Sequence, residues 1–313
     1  EDENAYLLGE VWEDASNKVS YGEMRCYCLG DTLDGVMNYP LRKAALAFLM
    51  GKISASRFKR HMDCLYENYP APFASALLNV MGSHDRVRTL NVLAGVDGED
   101  LPRSQRGKVR LSARQRELGK QRLKLMLQLI CMMPGMPCVY YGDEAGMEGA
   151  GDPFNRAPFP WDKEDKELQA FFRQTLGQYH ACPVLVDGAL AMEAPHDDVL
   201  FVQRKAQSGC ALLAVNRGNR PHKASAFGHT VTLKARSCAF GRRNAKTGTP
   251  CAAMDGPVRF CPGDGAQNRF GFWEPGRRRA SRPRAPFFSK KERFTELPAI
   301  KETRNIWQIL FGG

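Results

Sequence analysis

The amino-acid sequence predicts an α/β fold followed by a small antiparallel β domain. Up to about residue 180, short apolar runs with the length of buried parallel strands alternate with helical segments. This alternation favours parallel strands joined by helical crossovers. After Pro183 the pattern changes to closely spaced strand-like runs separated by turn residues, which is typical of antiparallel hairpins.

Four strand–helix units follow one another in the first part of the chain. The predicted elements, in chain order, are Tyr6–Val11, Leu33–Met37, helices over 41–50 and 54–66 (the second capped by Ser54), Ala76–Val80, a helix over 112–132 capped by Ser112, Pro137–Tyr141 and a helix over 165–180. A complete eight-unit barrel needs about 250 residues. These units therefore predict half of a (β/α)8 barrel.

Short strands at regular intervals fill the second part. They are predicted at Val199–Arg204, Ala211–Asn216, Val231–Leu233 and Val258–Phe260. We therefore expect an antiparallel β domain over residues 184–265. Residues 266–313 hold 11 Lys and Arg against 4 Asp and Glu and have no clear periodicity, which predicts a disordered basic tail. The alternative is that this tail contacts RNA or anionic lipid.

The charge and cysteine content limit the classes of function. The formal net charge is +11, but the tail carries +7 of it, so nucleic-acid binding is not expected of the main body. No apolar run reaches the roughly 18–20 residues of a membrane span. The 10 cysteines include no C-x-x-C pair and the N-terminus lacks a signal peptide, so reduced thiols and a cytoplasmic location are expected. The missing initiator Met leads us to expect a piece of a longer protein.

Two carboxylates lie at the ends of predicted strands. Glu10 ends the first strand just before Trp12, and Asp85 follows His84 after the third. Carboxylates at the C-terminal ends of successive parallel strands are typical of the active site of an α/β barrel. An apolar strand end beside an indole should favour the neutral acid at Glu10, which suits a general acid. The alternative for Glu10 is a solvated loop glutamate, and the alternative for Asp85 is a residue that caps the strand end.

Aromatic and acidic side chains surround the end of the last predicted barrel strand. Tyr140, Tyr141 and Trp161 offer flat faces on which sugar rings can stack, and packing in a core is an equal alternative. Asp143 and Glu144 follow directly after that strand. No phosphate-binding loop, dinucleotide motif or His/Cys cluster with zinc spacing occurs, so neither a cofactor nor a metal is predicted.

Four segments in a fixed order carry a family resemblance. They are Gly9–Lys18 (GEVWEDASNK), Asp34–Arg42 (DGVMNYPLR), Ser83–Arg88 (SHDRVR) and Gly135–Glu144 (GMPCVYYGDE). Together they resemble the α-amylase family of glycoside hydrolases (glycoside hydrolase family 13), most closely its neopullulanase, cyclomaltodextrinase and maltogenic amylase group. The resemblance implies strands 5–8 of the (β/α)8 barrel over residues 1–183, followed by the family's C-terminal β domain over 184–265.

The resemblance also implies roles for individual residues. Glu10 becomes the general acid/base, and Asp85 becomes the carboxylate that holds substrate hydroxyls and stabilises the transition state. His84 becomes a hydrogen-bond donor to the substrate, and Arg88 matches the arginine that follows this His-Asp pair. Further substrate contacts are expected from Trp12, Tyr141, Asp152 and Arg156. A structural calcium occurs in the family, but no site for it is identifiable in the sequence.

The sequence departs from the family pattern at the nucleophile. The family places that aspartate in a Gly-x-Arg-x-Asp motif on the fourth strand, and a motif ending in Asn-His on the third, and neither occurs here. Asp34 precedes its strand and so should lie on the wrong face of the barrel. In addition, Arg86 stands where threonine is usual. We therefore expect no substitute nucleophile.

These observations together predict a C-terminal fragment of a retaining hydrolase. The parent protein would cleave α-glucosidic bonds in maltodextrins, cyclodextrins or pullulan, and the fragment alone would be inactive. The expected partners are an α-glucan oligosaccharide and, through unpaired strand edges, a second copy of the chain in a homodimer. The alternative is a non-catalytic α-glucan-binding module, which would keep His84, Asp85 and the aromatic residues.

Overall fold

Four parallel strands form a curved wall in the first part of the fold, as predicted. The computed structural model describes residues 5–244 and the strand residues 250–251 and 261–262. The strands of the first part are β1 (Leu8–Gly9), β2 (Val19–Ser20), β3 (Glu23–Met24), β4 (Gly35–Val36), β5 (Leu78–Val80) and β6 (Met136–Cys138). β1 pairs in parallel with β4, a parallel bridge joins Met37 to Leu78, and β5 pairs in parallel with β6. β2 and β3 form a short antiparallel hairpin after β1.

The wall strands are shorter than the sequence predicts. The apolar run Tyr6–Val11 contributes only Leu8–Gly9 to regular pairing, although the hydrogen bond from Asp34 N to Leu7 O extends the contact by one residue. Among the described residues, β1 pairs only with β4, and β6 pairs only with β5. A strand that lacks one neighbour has fewer ladder hydrogen bonds to define its length.

Helices cover the outside of the wall. They are α1 (Tyr39–Leu49), α2 (Ala55–Asn68), α3 (Ala71–Ser75), α4 (Thr89–Leu93), α5 (Arg103–Arg106), α6 (Ala113–Met132), α7 (Lys166–His180) and α8 (Val184–Asp187), with 3-10 turns at Ala15–Asn17 and Phe154–Arg156. Both predicted serine caps are confirmed. Ser54 Oγ accepts from Arg57 N at 3.2 Å, and Ser112 forms a capping box with Gln115. No helix in the described part of the chain has the length and apolarity to cross a membrane.

Buried polar side chains tie the wall strands to one another. Asn38 Nδ2 donates to Asn79 Oδ1 at 2.9 Å, and Asn79 Nδ2 donates to Pro134 O at 3.0 Å. Arg42, also buried, donates from Nε to Met81 O at 2.7 Å. These bonds satisfy polar groups that burial would otherwise penalise, and they fix the spacing of β4, β5 and the segment before β6.

Antiparallel strands follow the helices. They are β7 (Ala189–His196), β8 (Val199–Ala206), β9 (Gly209–Asn216), β10 (His222–Ala226), β11 (His229–Leu233), β12 (Ser237–Asn244), β13 (Pro250–Cys251) and β14 (Cys261–Pro262). β13, β12, β9, β8 and β7 form one sheet in that order, and β10, β11 and β14 form a second. Three of the predicted strands are confirmed as β8, β9 and β11. The predicted strand Val258–Phe260 and the basic tail lie outside the described residues.

One apolar core joins the helices to the larger sheet. Phe48 and Phe58 of the first two helices, Leu127 of α6, and Leu200 and Leu213 of the sheet all belong to a single buried cluster. Removing this apolar surface from water is the main stabilising contribution to the association of the two parts.

Two arginines bridge the same junction. Arg204 is buried and donates from Nε to Gly188 O at 2.7 Å and from Nη1 to Met132 O at 3.2 Å. Arg217 Nη1 lies 2.5 Å from both Phe48 O and Ile53 O. The guanidinium groups therefore donate to carbonyl groups at or near the helix ends, of which Phe48 O also accepts from Gly51 N.

We expect the open edge of β1 to make the purified chain associate. Tyr6, Leu7 and Leu8 have exposed side chains along this edge, and unpaired strand edges template pairing with other chains. Light scattering should show dimers or larger assemblies that grow with concentration. Leu8→Lys should weaken the association, because it places a charge on the edge. Leu29→Lys, at an exposed position outside the strands, should not. A sharp monomer with a cooperative melt would contradict this expectation.

Candidate active site

A hydrogen-bonded path connects the Glu10 carboxylate to the backbone of Asp85. The hydroxyl oxygen of Tyr39, the first residue of α1, lies 3.2 Å from Glu10 Oε1 and 3.2 Å from Ser83 Oγ. Asp85 N donates to the same Ser83 Oγ at 3.3 Å. The structure therefore brings Glu10 and the Asp85 segment to one edge of the wall. This is the edge where parallel strands present their C-terminal ends.

Tyr39 is the centre of this path. Burial raises the pKa of its hydroxyl, and the neighbouring Glu10 carboxylate adds to that shift. The hydroxyl therefore stays protonated and available as a donor at neutral pH. Because it carries one proton, it can donate to Glu10 while it accepts from the Ser83 hydroxyl.

Trp12 does not give Glu10 the apolar environment that the sequence suggests. The indole stacks face to face on Tyr39, with ring centroids 4.2 Å apart and planes 6° apart, and the Glu10 side chain is exposed. The Arg86 guanidinium lies 5.6 Å from the centroid of the Trp12 ring. The expected apolar environment of Glu10 is therefore not found, and its exposure fits the alternative of a solvated glutamate. The half-exposed indole, at 43% exposure, instead provides a flat surface beside Glu10.

A loop after β6 holds the His84-Asp85 segment in place. Arg156 Nη2 lies 3.2 Å from Asp85 Oδ1, and Arg156 Nε lies 2.8 Å from Asp152 Oδ1 and donates to His84 O at 3.1 Å. Asn155 Nδ2, from a buried side chain, also donates to His84 O, at 2.6 Å. His84 Nε2 lies 3.3 Å from Asp85 Oδ2. Arg156 thus contacts the Asp85 segment directly, and Asp152 contacts Arg156, while their predicted contacts with substrate stay a prediction.

Arg88 lies beneath the site rather than in it. Its side chain is fully buried and donates from Nη1 to Tyr141 O. The guanidinium lies 4.4 Å from the ring centroid of Tyr140 and 4.7 Å from that of Tyr141. The expectation that Arg88 contacts substrate directly is therefore not supported, because burial removes it from any ligand. Instead it orients the two tyrosine rings through cation–π contacts.

Asp143 is the buried partner of Arg88. Its Oδ1 lies 3.7 Å from Arg88 Nη1, and both side chains are fully buried. Burial raises the pKa of Asp143 to about 6, while the charges of Arg88 and, more weakly, Arg42 oppose that shift. The turn that directs Asp143 inward requires glycine, since Gly142 has φ +86°. Gly82 allows the Asp143 carboxyl group to lie close to the backbone, because a Cβ at this position would lie 2.7 Å from Asp143 Oδ2.

The other expected aromatic surfaces differ in exposure. Tyr141 is partly exposed, donates from its hydroxyl to Ala157 O at 2.8 Å and packs edge to face on Tyr140. Trp161 is 73% exposed and packs on Phe159, with ring centroids 4.7 Å apart. Tyr141 is therefore fixed at the site, whereas Trp161 lies on the surface of the loop.

Asp34 lies at the opposite end of the wall, as predicted. It directly precedes β4, and its Oδ2 accepts from Leu7 N at 2.7 Å, just before β1 begins. The parallel arrangement places Asp34 at the N-terminal end of β4 and Glu10 at the C-terminal end of β1. Asp34 therefore cannot act together with Glu10.

Comparisons with known proteins identify the class and then the family. The parallel wall with strand-end carboxylates defines half of an α/β barrel of the kind that hosts glycosidases. Residues 1–178 match the family described as Alpha amylase, catalytic domain. A cyclic α-maltosyl-(1→6)-maltose hydrolase from Arthrobacter globiformis, solved in its ligand-free form, matches with a TM-score of 0.64 and 26% identity over 78% of this chain and 50% of that chain. The chain belongs to the α-amylase family.

Curated relatives match over a similar part of the chain. An amylopullulanase from Thermoanaerobacter thermohydrosulfuricus is 33% identical over 238 residues, which are 69% of this chain and 15% of that protein. A cyclomaltodextrinase from Geobacillus thermopakistaniensis is 32% identical over 221 residues, which are 69% of this chain and 32% of that protein. The matched part of the chain thus spans about a seventh of the amylopullulanase and about a third of the cyclomaltodextrinase.

The raised pKa of Asp143 predicts a characteristic pH dependence of stability. Folded Asp143 holds its proton up to about pH 6, whereas an unfolded aspartate releases it near pH 4, so ionisation costs folding free energy as the pH rises. Asp143→Asn removes this cost. As the pH rises from 4 to 7, the free energy of unfolding of the variant should therefore increase by about 2 kcal/mol relative to that of the unsubstituted chain. Thermal and urea unfolding of both proteins at the two pH values measures the change.

Asp165→Asn is the matched control. Burial opposes ionisation of Asp165, but its hydrogen bonds to Lys120 and Leu168 N outweigh that effect and lower its pKa. Its contribution to stability is present above the unfolded pKa and is lost as the pH falls. Because most of that loss falls below pH 4, Asp165→Asn should show little change relative to the unsubstituted chain between pH 4 and 7 and no gain of the kind expected for Asp143→Asn. The same pH trend in both variants would contradict the assignment.

Proposed function

We propose that Glu10 and Asp85 belong to the active site of a retaining hydrolase of α-glucosidic bonds in maltodextrins, cyclodextrins or pullulan. The observation that supports this proposal is the hydrogen-bonded path from the Glu10 carboxylate through Tyr39 and Ser83 to the backbone N–H of Asp85. The relatives named amylopullulanase and cyclomaltodextrinase support the substrate class.

The proposed chemistry divides between the two carboxylates. Glu10 protonates the glycosidic oxygen as the bond to the anomeric carbon breaks, and it later takes a proton from the attacking water. Tyr39, donating to Glu10, orients the carboxyl group. Asp85 accepts hydrogen bonds from substrate hydroxyls and stabilises the positive charge that develops on the sugar ring, with His84 as a neighbouring donor.

The remaining site residues would shape the substrate cleft. The exposed face of Trp12 and the ring of Tyr141 offer stacking surfaces for glucose units. Asp152 and Arg156 would act mainly by fixing the position of Asp85. Arg88 would act through the tyrosine rings that it supports.

A third carboxylate is needed for the covalent step. A retaining mechanism requires a nucleophilic carboxylate about 5–5.5 Å from the acid/base. This carboxylate attacks the anomeric carbon to form a covalent glycosyl-enzyme, which water then hydrolyses. Asp143 is buried beneath the site, and Asp34 lies at the opposite end of the wall. The family motif that carries this aspartate does not occur in the sequence. We therefore assign the nucleophile to the N-terminal half of the barrel of the parent protein.

We expect the purified chain to release no reducing sugar from maltoheptaose or pullulan. Addition of an N-terminal barrel half from a cyclomaltodextrinase, carrying its Gly-x-Arg-x-Asp motif, should restore hydrolysis. Restoration should fail when that aspartate is replaced by asparagine, and it should fail with Glu10→Gln in this chain. Hydrolysis by the unsubstituted chain alone that disappears in Glu10→Gln would overturn the assignment of the nucleophile.

A glucan-binding role without turnover is the second candidate. The exposed indole of Trp12 and the exposed His84-Asp85 pair favour it, because both could contact a sugar without a nucleophile. Retention on immobilised amylose that is lost in Trp12→Ala, with no hydrolysis in the presence of any barrel half, would favour this role over the first.

The remaining assignments rest on the sequence. The scattered cysteines support a cytoplasmic location, and the open β1 edge supports a homodimer as the state of the isolated chain. The division into barrel half, β domain and tail at residues 183 and 265 is likewise a proposal.

A further inference from the structure

Two histidines and an aspartate meet in the antiparallel part of the molecule, away from the carboxylate edge. His196 ends β7, Asp198 lies in the turn between β7 and β8, and His222 begins β10. One potential ligand atom from each lies within 4.8 Å of the other two. The two imidazole rings have centroids 4.1 Å apart. The group therefore combines side chains from both sheets.

The Asp198 carboxylate is held in place by contacts outside the group. Arg217 Nε lies 2.8 Å from Asp198 Oδ1, and the same arginine donates from Nη1 to Phe48 O and Ile53 O. Ala55 N donates to Asp197 O at 2.8 Å, which fixes the turn against the start of α2. Ion pairing through Oδ1 leaves Oδ2 as the oxygen for a further ligand. Supporting contacts of this kind orient the carboxylates and imidazoles of metal sites.

The first histidine is oriented by the same turn. Asp198 N donates to His196 Nδ1 at 3.1 Å, so the lone pair of that nitrogen is directed toward the Asp198 residue. The neutral ring then carries its proton on the other nitrogen. A cation bound at Nδ1 would take the place of a single N–H donor, at the cost of about 1 kcal/mol for that hydrogen bond. His196 is exposed, so its ring has room to adjust.

We propose that His196, Asp198 and His222 bind Zn²⁺. Two imidazole nitrogens and one carboxylate oxygen form a ligand set that Zn²⁺ accepts, with water in the fourth position. Imidazole suits zinc, copper and nickel, whereas Ca²⁺ and Mg²⁺ prefer all-oxygen sites. Tetrahedral zinc with bonds of about 2.0–2.1 Å would bring the ligand atoms to about 3.3 Å from one another. The ion would link the β7–β8 turn of the larger sheet to β10 of the smaller one.

Isothermal titration of the metal-stripped chain with Zn²⁺ alone tests the proposal. A thiol reductant that does not chelate zinc is present throughout. Because cysteines also bind zinc, the decisive quantity is the difference in stoichiometry between variants. His196→Ala and His222→Ala should each bind one Zn²⁺ per chain fewer than His61→Ala, an exposed histidine of α2 that serves as the control. Circular dichroism establishes that all three variants are folded.

Thermal unfolding supplies a second readout. Zn²⁺ should raise the melting temperature of the unsubstituted chain and of His61→Ala, because an ion that binds only the folded state stabilises it. It should raise that of His196→Ala and His222→Ala less, while Ca²⁺ should raise none of them. Equal stoichiometry in the control and in either histidine variant would overturn the proposal. An equal rise in melting temperature in all the variants would do the same.

Discussion

The pairing of one buried carboxylate, Asp143, with Arg88 is the constraint on which the candidate site depends. Arg88 lies against both tyrosine rings after β6 and donates to the Tyr141 carbonyl, so its position determines theirs. Both side chains are fully buried, so a change in the charge of one alters the environment of the other. Arg42 adds a second buried cation. Burial lowers the pKa of its guanidinium to about 10. The polar site therefore lies on a charged layer that water does not reach.

Local signals in the sequence predicted the four long helices, α1, α2, α6 and α7, but not the short helices α3, α4, α5 and α8. The caps at Ser54 and Ser112 depend on residues within three positions, and both are found. The parallel wall was also predictable, because apolar runs alternate with helices. The sequence did not predict β7, β10 and β12. Their alanine, serine and histidine residues have weak strand propensity and give no clear alternation of apolar and polar side chains.

The environment of the site residues could not be predicted from the sequence. Trp12 stacks on Tyr39 from 27 positions away, and Arg88 reaches tyrosines more than 50 positions later. His196 and His222 are likewise far apart along the chain and meet through the pairing of two sheets. No local pattern encodes such contacts, which arise only when the whole core forms. The strand-end positions of Glu10 and Asp85 were accessible because they follow from the order of the strands alone.

Arg217 contacts Asp198, Phe48 O and Ile53 O at once, and this affects how the chain folds. This arginine belongs to the segment after β9, yet it satisfies carbonyl groups at the end of α1 and in the connection to α2. Without the antiparallel sheet, Ile53 O would lose this donor and Phe48 O would keep the bond from Gly51 N. The barrel half and the sheet should therefore open together, and amide protons of the α1–α2 connection should exchange with solvent at a rate set by the stability of β9.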